Sequence, residues 1–172
     1  MTTRVLLPSL LLVFGAWVQP SQAAMTPKQQ ETVRAEVSRA VKAFIAACEQ
    51  VDVARALAFE ADVPEFLYAD ADGSMYEYPG FRELVTRSFA ASSSQKVITR
   101  REKILVLAPD LVLYAWNGAL EMTPKGGTTV HVEPYSLTLL MRKVAGAWRI
   151  TYQHESGQVP PGGSPAPTAP KE

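Results

Sequence analysis

Gly146-Ala147-Trp148-Arg149-Ile150-Thr151-Tyr152-Gln153-His154-Glu155-Ser156 alternates as a strand does, since side chains two apart share a face. One face reads Trp148, Ile150, Tyr152, His154, Ser156, running from apolar to polar along a line. Such a strand can floor a cavity: its first half packs a core, and its second half offers an imidazole that titrates near neutral pH.

Three further β-rich runs precede it, Lys96 to Leu107, Leu111 to Thr123 and Thr128 to Arg142. The links at 108–110, 124–127 and 143–146 are turn-like and so short that neighbouring strands must be antiparallel. Upstream the period changes. Thr26-Pro27 reads as an N-cap followed by proline at the first helical position, and Val33, Val37, Val41, Phe44 and Cys48 recur at spacings of three and four, which predicts a one-sided helix to about Gln50. Asp52 caps a shorter helix through Phe59, ended by Asp62-Val63-Pro64. Phe66-Leu67-Tyr68, the turn Asp70-Ala71-Asp72-Gly73 and Met75 to Tyr78 read as a small hairpin, and Gly80 to Ala91 as a third helix. Helices followed by a meander predict an α+β fold, a curved, mostly antiparallel sheet wrapped around N-terminal helices to form a cone with an internal pocket.

This order, together with the closing Gly-x-Trp-x-Ile-x-Tyr-x-His-x-Ser at 146–156, resembles the nuclear transport factor 2-like superfamily in its SnoaL-like branch. The last strand is also similar to that of the calcium/calmodulin-dependent kinase II association domain. The resemblance covers residues 26–156. It implies the cone fold but no single chemistry, because the members include isomerases, cyclases, dehydratases, ligand binders and oligomerisation modules. The ketosteroid isomerase relatives use a helix tyrosine and paired pocket aspartates. Here residues 28–50 contain no tyrosine, and of the sheet-row residues only Glu133 could replace an aspartate, which argues against steroid-type isomerisation.

Taking 143–146 as a four-residue loop pairs Met141 with Trp148, Leu139 with Ile150, Leu137 with Tyr152 and Tyr135 with His154. Taking 124–127 likewise pairs Trp116 with Tyr135 and Tyr114 with Leu137. The predicted pocket row is therefore Trp116–Tyr135–His154. Tyr114 and Tyr152 lie below it, Glu133 and Ser156 above it, and Tyr68 contributes from the hairpin. Asn117, Ser136, Thr138, Thr151, Gln153 and Glu155 fall on the opposite, wetter face. Each site residue also has a plain reading. His154 reads first as a core-edge histidine bonded to Tyr135 or Glu133 and second as a ligand contact or general acid/base. Glu133 reads first as a solvated rim residue. The aromatic residues read as packing first and pocket wall second, and His131 as exposed.

The chain begins with Arg4, an apolar run from Val5 to Val18 and Ser21-Gln22-Ala23, a secretory signal peptide over residues 1–23. Its apolar run is about 14 residues, against the roughly 20 of a spanning helix, so stable membrane insertion after cleavage is not expected. Removing it leaves 16 basic against 17 acidic residues, a near-neutral protein with no electrostatic case for nucleic acid. Cys48 stands alone on an apolar helix face, which excludes an internal disulfide and suits a buried, inert thiol. Residues 157–172 carry five prolines and three glycines and read as a disordered Pro-rich tail. No metal-ligand spacing, phosphate loop or cofactor motif is present.

Three functions follow as expectations. The first is an exported, periplasmic or secreted protein that binds a small apolar or aromatic molecule. The second is an isomerase or lyase without metal, with His154 as general acid/base, Glu133 orienting it and Tyr135 donating to an oxyanion. The third is a structural domain that forms a homodimer through the sheet. Absence of a cavity of roughly 300 Å³ beside His154 would leave only the third.

Overall fold

The computed structural model describes residues 25–157; the signal-peptide and Pro-rich-tail expectations lie outside them. Thr26 opens α1 (Pro27–Glu49) through a capping box with Gln29, its hydroxyl accepting from the Gln29 backbone N–H at 3.3 Å. Val33, Val37, Val41, Phe44 and Ala47 are the buried stripe of this helix. Asp52 caps α2 (Val53–Leu57) by accepting from the Arg55 N–H at 3.0 Å. A hairpin of β1 (Leu67–Ala69) and β2 (Met75–Tyr76) follows, then α3 (Tyr78–Ala91). The long meander is β3 (Ser92–Ala108), β4 (Leu111–Pro124), β5 (Val130–Val144) and β6 (Ala147–Gly157). The sheet order is β2-β1-β6-β5-β4-β3, with β1 parallel to β6 and every other pairing antiparallel. This is the α+β arrangement the sequence predicts.

The core lies between α1 and the inner face of the meander, where Val112, Tyr114, Leu139, Met141 and Ile150 are all but fully buried. A second cluster, Phe66, Tyr68, Phe81 and Leu84, packs the hairpin against α3.

The registers differ from those expected. Val144 pairs with Ala147, so the β5–β6 turn is the two residues Ala145 and Gly146, both at positive φ (50° and 81°). A two-residue turn of this kind matches the twist of the strands it joins. Lys143, not Met141, therefore faces Trp148. A bulge then places one extra residue, Thr151, in β6: Met141 pairs with Ile150, but Leu140 pairs with Tyr152. An extra residue in one strand inverts the alternation beyond it. Thr151, Gln153 and, beyond them, Glu155 consequently turn inward, while Tyr152 and His154 turn outward. On the other side Trp116 faces Leu137 and Tyr114 faces Leu139, two positions from the predicted partners but with the same residues inside.

Candidate functional site

A cavity of about 640 Å³ opens between the inner sheet face, α1 and α3. Its walls are mainly apolar, with Phe44 and Ile45 from α1, Phe89 from α3 and Leu137 from β5 among them. Trp116 and Tyr114 line it as predicted residues, yet both spend their polar ends on β3. The Trp116 indole N–H donates to Thr99 Oγ1 at 2.8 Å, and the Tyr114 hydroxyl to Glu102 Oε2 at 2.9 Å. They offer the cavity apolar faces only. Tyr135 and Tyr68 also line it, and these two bring hydroxyls to its polar floor.

That floor is built around Glu155. The Tyr135 hydroxyl donates to Glu155 Oε2, the Gln153 amide donates to Glu155 Oε1 at 2.7 Å, and the Tyr68 phenol lies beside the same carboxylate. Burial pushes the Glu155 carboxyl up from its ordinary range, an effect that the Tyr135, Tyr68 and Gln153 bonds oppose. Burial, with the Glu155 charge second, pushes the Tyr135 phenol up, so that it stays protonated and remains a donor. Asp70, just beyond β1, also lines the cavity, its carboxyl raised by burial.

Glu60 completes the group. It sits past α2 in a short segment that adds to the sheet: the Ile150 N–H donates to the Phe59 carbonyl at 2.8 Å, and the Ala61 N–H to the Ile150 carbonyl at 2.9 Å. This bridge fixes Glu60 beside β6. The side chain is 6 % exposed, lines the cavity, and has no partner on either carboxyl oxygen. Burial, and then the Glu155 charge, pushes its carboxyl well above the ordinary range.

Three expected site residues lie elsewhere. His154 is exposed on the outer face and does not line the cavity: the two-residue turn moves its partner by two positions and the bulge at Thr151 by one more, to Thr138 instead of Tyr135, and the bulge turns it outward. Tyr152 is outward for the same reason, opposite Leu140. Glu133 is on the exterior, where Arg100 Nε donates to its Oε1 at 3.2 Å and His131 Nε2 lies 3.2 Å from its Oε2. Those two bonds hold its carboxyl below the usual range. The His154–Glu133–Tyr135 arrangement therefore does not exist in this fold. Conversely, Glu155 and Gln153, expected on the wet face, form the floor, and Glu60 was not singled out in the sequence at all. Its signal there is slight: a lone carboxylate between Phe59 and Ala61, inside an otherwise apolar stretch.

No protein-family model and no curated protein matches the chain. Solved structures do match its fold. A nuclear transport factor 2-like superfamily protein from Salmonella enterica serovar Typhimurium is 17% identical with a TM-score of 0.66, covering 83% of this chain and 98% of that one. A hexachlorocyclohexane dehydrochlorinase from Novosphingobium barchaimii is 10% identical with a TM-score of 0.63, covering 77% of this chain and 91% of its own. A nuclear transport factor 2-like protein of unknown function from Pseudomonas putida is 14% identical with a TM-score of 0.60, covering 73% and 87%.

Proposed function

The chain has the nuclear transport factor 2-like fold, and from that premise we propose that it is an exported protein, periplasmic or secreted, whose cavity holds a small, largely apolar or aromatic molecule. The observation that carries this reading is the cavity itself, about 640 Å³ with apolar walls and one polar floor. That is the usual make-up of a small-molecule site, in which apolar area supplies affinity and a few convergent polar groups fix orientation. Trp116 and Tyr114 act as walls, and Tyr135, Tyr68 and Glu155 hold the polar end.

A second reading, an isomerase or lyase without metal, is favoured by one observation. Glu155 is a carboxyl raised by burial and touched by a phenol, a poised acid/base inside an apolar chamber. In that reading Glu155, not His154, exchanges the proton.

Native mass spectrometry of the protein purified from its own host tests the binding reading, and reports the oligomeric state at once. A retained small molecule is expected, together with micromolar binding of naphthylmethanol by calorimetry. Tyr135→Phe should weaken that binding and His154→Ala should leave it unchanged. An empty protein that also fails to bind naphthylmethanol at about 1 mM, the weak end of specific recognition, would refute the proposal.

A further inference from the structure

The unpartnered groups on the cavity floor restrict what can sit there. We infer that the molecule held in this cavity is an organic ammonium ion, a protonated amine on an apolar or aromatic body, with its N–H groups directed at Glu60 and Gln153. The inference rests on the binding-pocket reading and deepens it.

Donor and acceptor bookkeeping carries it. Within the described residues the buried side-chain atoms without a hydrogen-bond partner are Glu60 Oε1, Glu60 Oε2 and Gln153 Oε1. With Glu60 ionised all three are acceptors, and both residues line the cavity, at 6 % and 5 % exposure. Gln153 is not free to turn its amide, because its nitrogen already donates to Glu155 Oε1 at 2.7 Å. Its carbonyl oxygen must therefore face away from that bond and await a donor. Buried polar atoms without partners are rare in native structures, since each loses its hydration without replacement. An ammonium group has three donors and no acceptor, which is the complement this floor lacks. A neutral hydroxyl brings one donor, and a carboxylate or phosphate brings none.

Charge points the same way. Three carboxyl groups, Glu60, Asp70 and Glu155, line the cavity, and its one basic lining residue among those described is Arg87. Arg87 is 56 % exposed and lies 3.7 Å from Glu83 on its own helix, so it does not neutralise the floor. An anion would meet carboxyl oxygens and no basic partner on the floor. Burial favours the protonated form of Glu60 in the empty site and an ammonium ion favours the ionised form, so binding is coupled to proton release. The other titratable groups facing Glu60 are Cys48 on α1, Tyr78 on α3 and Glu155 on β6.

Calorimetry on the full chain with three matched probes, naphthylmethylammonium, naphthylmethanol and naphthoate, tests this. The ammonium should bind at least tenfold tighter than the other two, as hydrogen bonds to a charged partner imply. Its binding should release a proton, read as a heat that changes with the buffer's ionisation enthalpy. Glu60→Gln should abolish both the preference for the ammonium and the buffer-dependent heat. Thermal melting checks that the variant remains folded, and Gln153→Leu provides an independent variant that should weaken the ammonium more than naphthylmethanol. Equal affinities, or a preference for naphthoate, would overturn the inference and leave the pocket reading standing. If none of the three probes binds, the inference is overturned, and the pocket reading falls with it when the purified protein is also empty.

Discussion

Replacing Glu60 by glutamine perturbs the floor of the cavity without emptying it, because the two side chains have nearly the same volume. Neither oxygen of Glu60 has a partner, and burial holds its carboxyl well above the ordinary 4.5. The unfolded chain gives up this proton near the ordinary value, whereas the folded chain keeps it. Above that value the native state therefore carries one more proton than the unfolded state, and stability falls as pH rises, by about 1.4 kcal/mol per pH unit for one such group. The stabilisation is whole below the unfolded-state value and is lost as pH climbs through the folded-state one. Glutamine has no proton to lose, so Glu60→Gln removes this slope. For a fold of roughly 130 residues, 1 kcal/mol corresponds to about 4 °C in Tm. The Tm of Glu60→Gln should thus gain on the original protein as pH rises above about 4.5, by up to about 5 °C per pH unit while the folded-state carboxyl keeps its proton. Differential scanning calorimetry of both full chains, without added ligand, reads this directly. Cys48, Tyr78 and Glu155 surround the site in both proteins, so the difference between the curves isolates Glu60. Parallel curves would refute the reasoning, for they would mean that Glu60 finds water or a partner in solution.

Two further tests address the walls. At Gly118 a Cβ would lie 1.9 Å from the Ile98 carbonyl oxygen and 2.7 Å from Trp116 Cζ2, so Gly118→Ala must displace backbone or indole. A loss of about 1–3 kcal/mol in urea unfolding is expected, with weaker naphthylmethanol binding, and unchanged stability would show that β3 and β4 approach less closely. Cys48 lines the cavity, and burial first, then the carboxylates of Glu60, Glu155 and Glu49, push its thiol far above the ordinary range. Its reaction with a disulfide reagent at neutral pH should be on the order of 100-fold slower in the folded protein than in urea, and comparable rates would contradict this placement.

The helices and the meander were legible because their periods are set by burial: Val33, Val37, Val41 and Phe44 mark one helix face, and short links between β-rich runs force antiparallel pairs. The inner faces of β4 up to Gly118 and of β5 from Tyr135 were legible too, since an error of two positions in register leaves the same residues inside, whereas the shift between Gly118 and Leu120 puts Val132 inside and Glu133 out. The floor of the site was not. Ala145 carries a positive φ without being Asn, Asp or Gly, so the two-residue turn lacked its usual sequence mark. The bulge at Thr151 has no glycine and sits among ordinary strand residues. The bulge falls just after Ile150, where the segment from Phe59 to Ala61 joins β6. Glu60 reaches the cavity through that same long-range bridge, which no local pattern encodes.

Residues 151–155 thus hold two lining alphabets in one string, and the single extra residue at Thr151 acts as the frame in which the string is read. In the present frame it spells amide and carboxylate; with one residue removed, the same letters would present the phenol of Tyr152 and the imidazole of His154. Loss of one codon would accomplish what otherwise takes several coordinated substitutions, an exchange of acidic for basic lining chemistry on an unchanged scaffold. Insertions and deletions in the last strand, more than point changes, are therefore the mutational currency by which a sheet of this kind acquires a different guest.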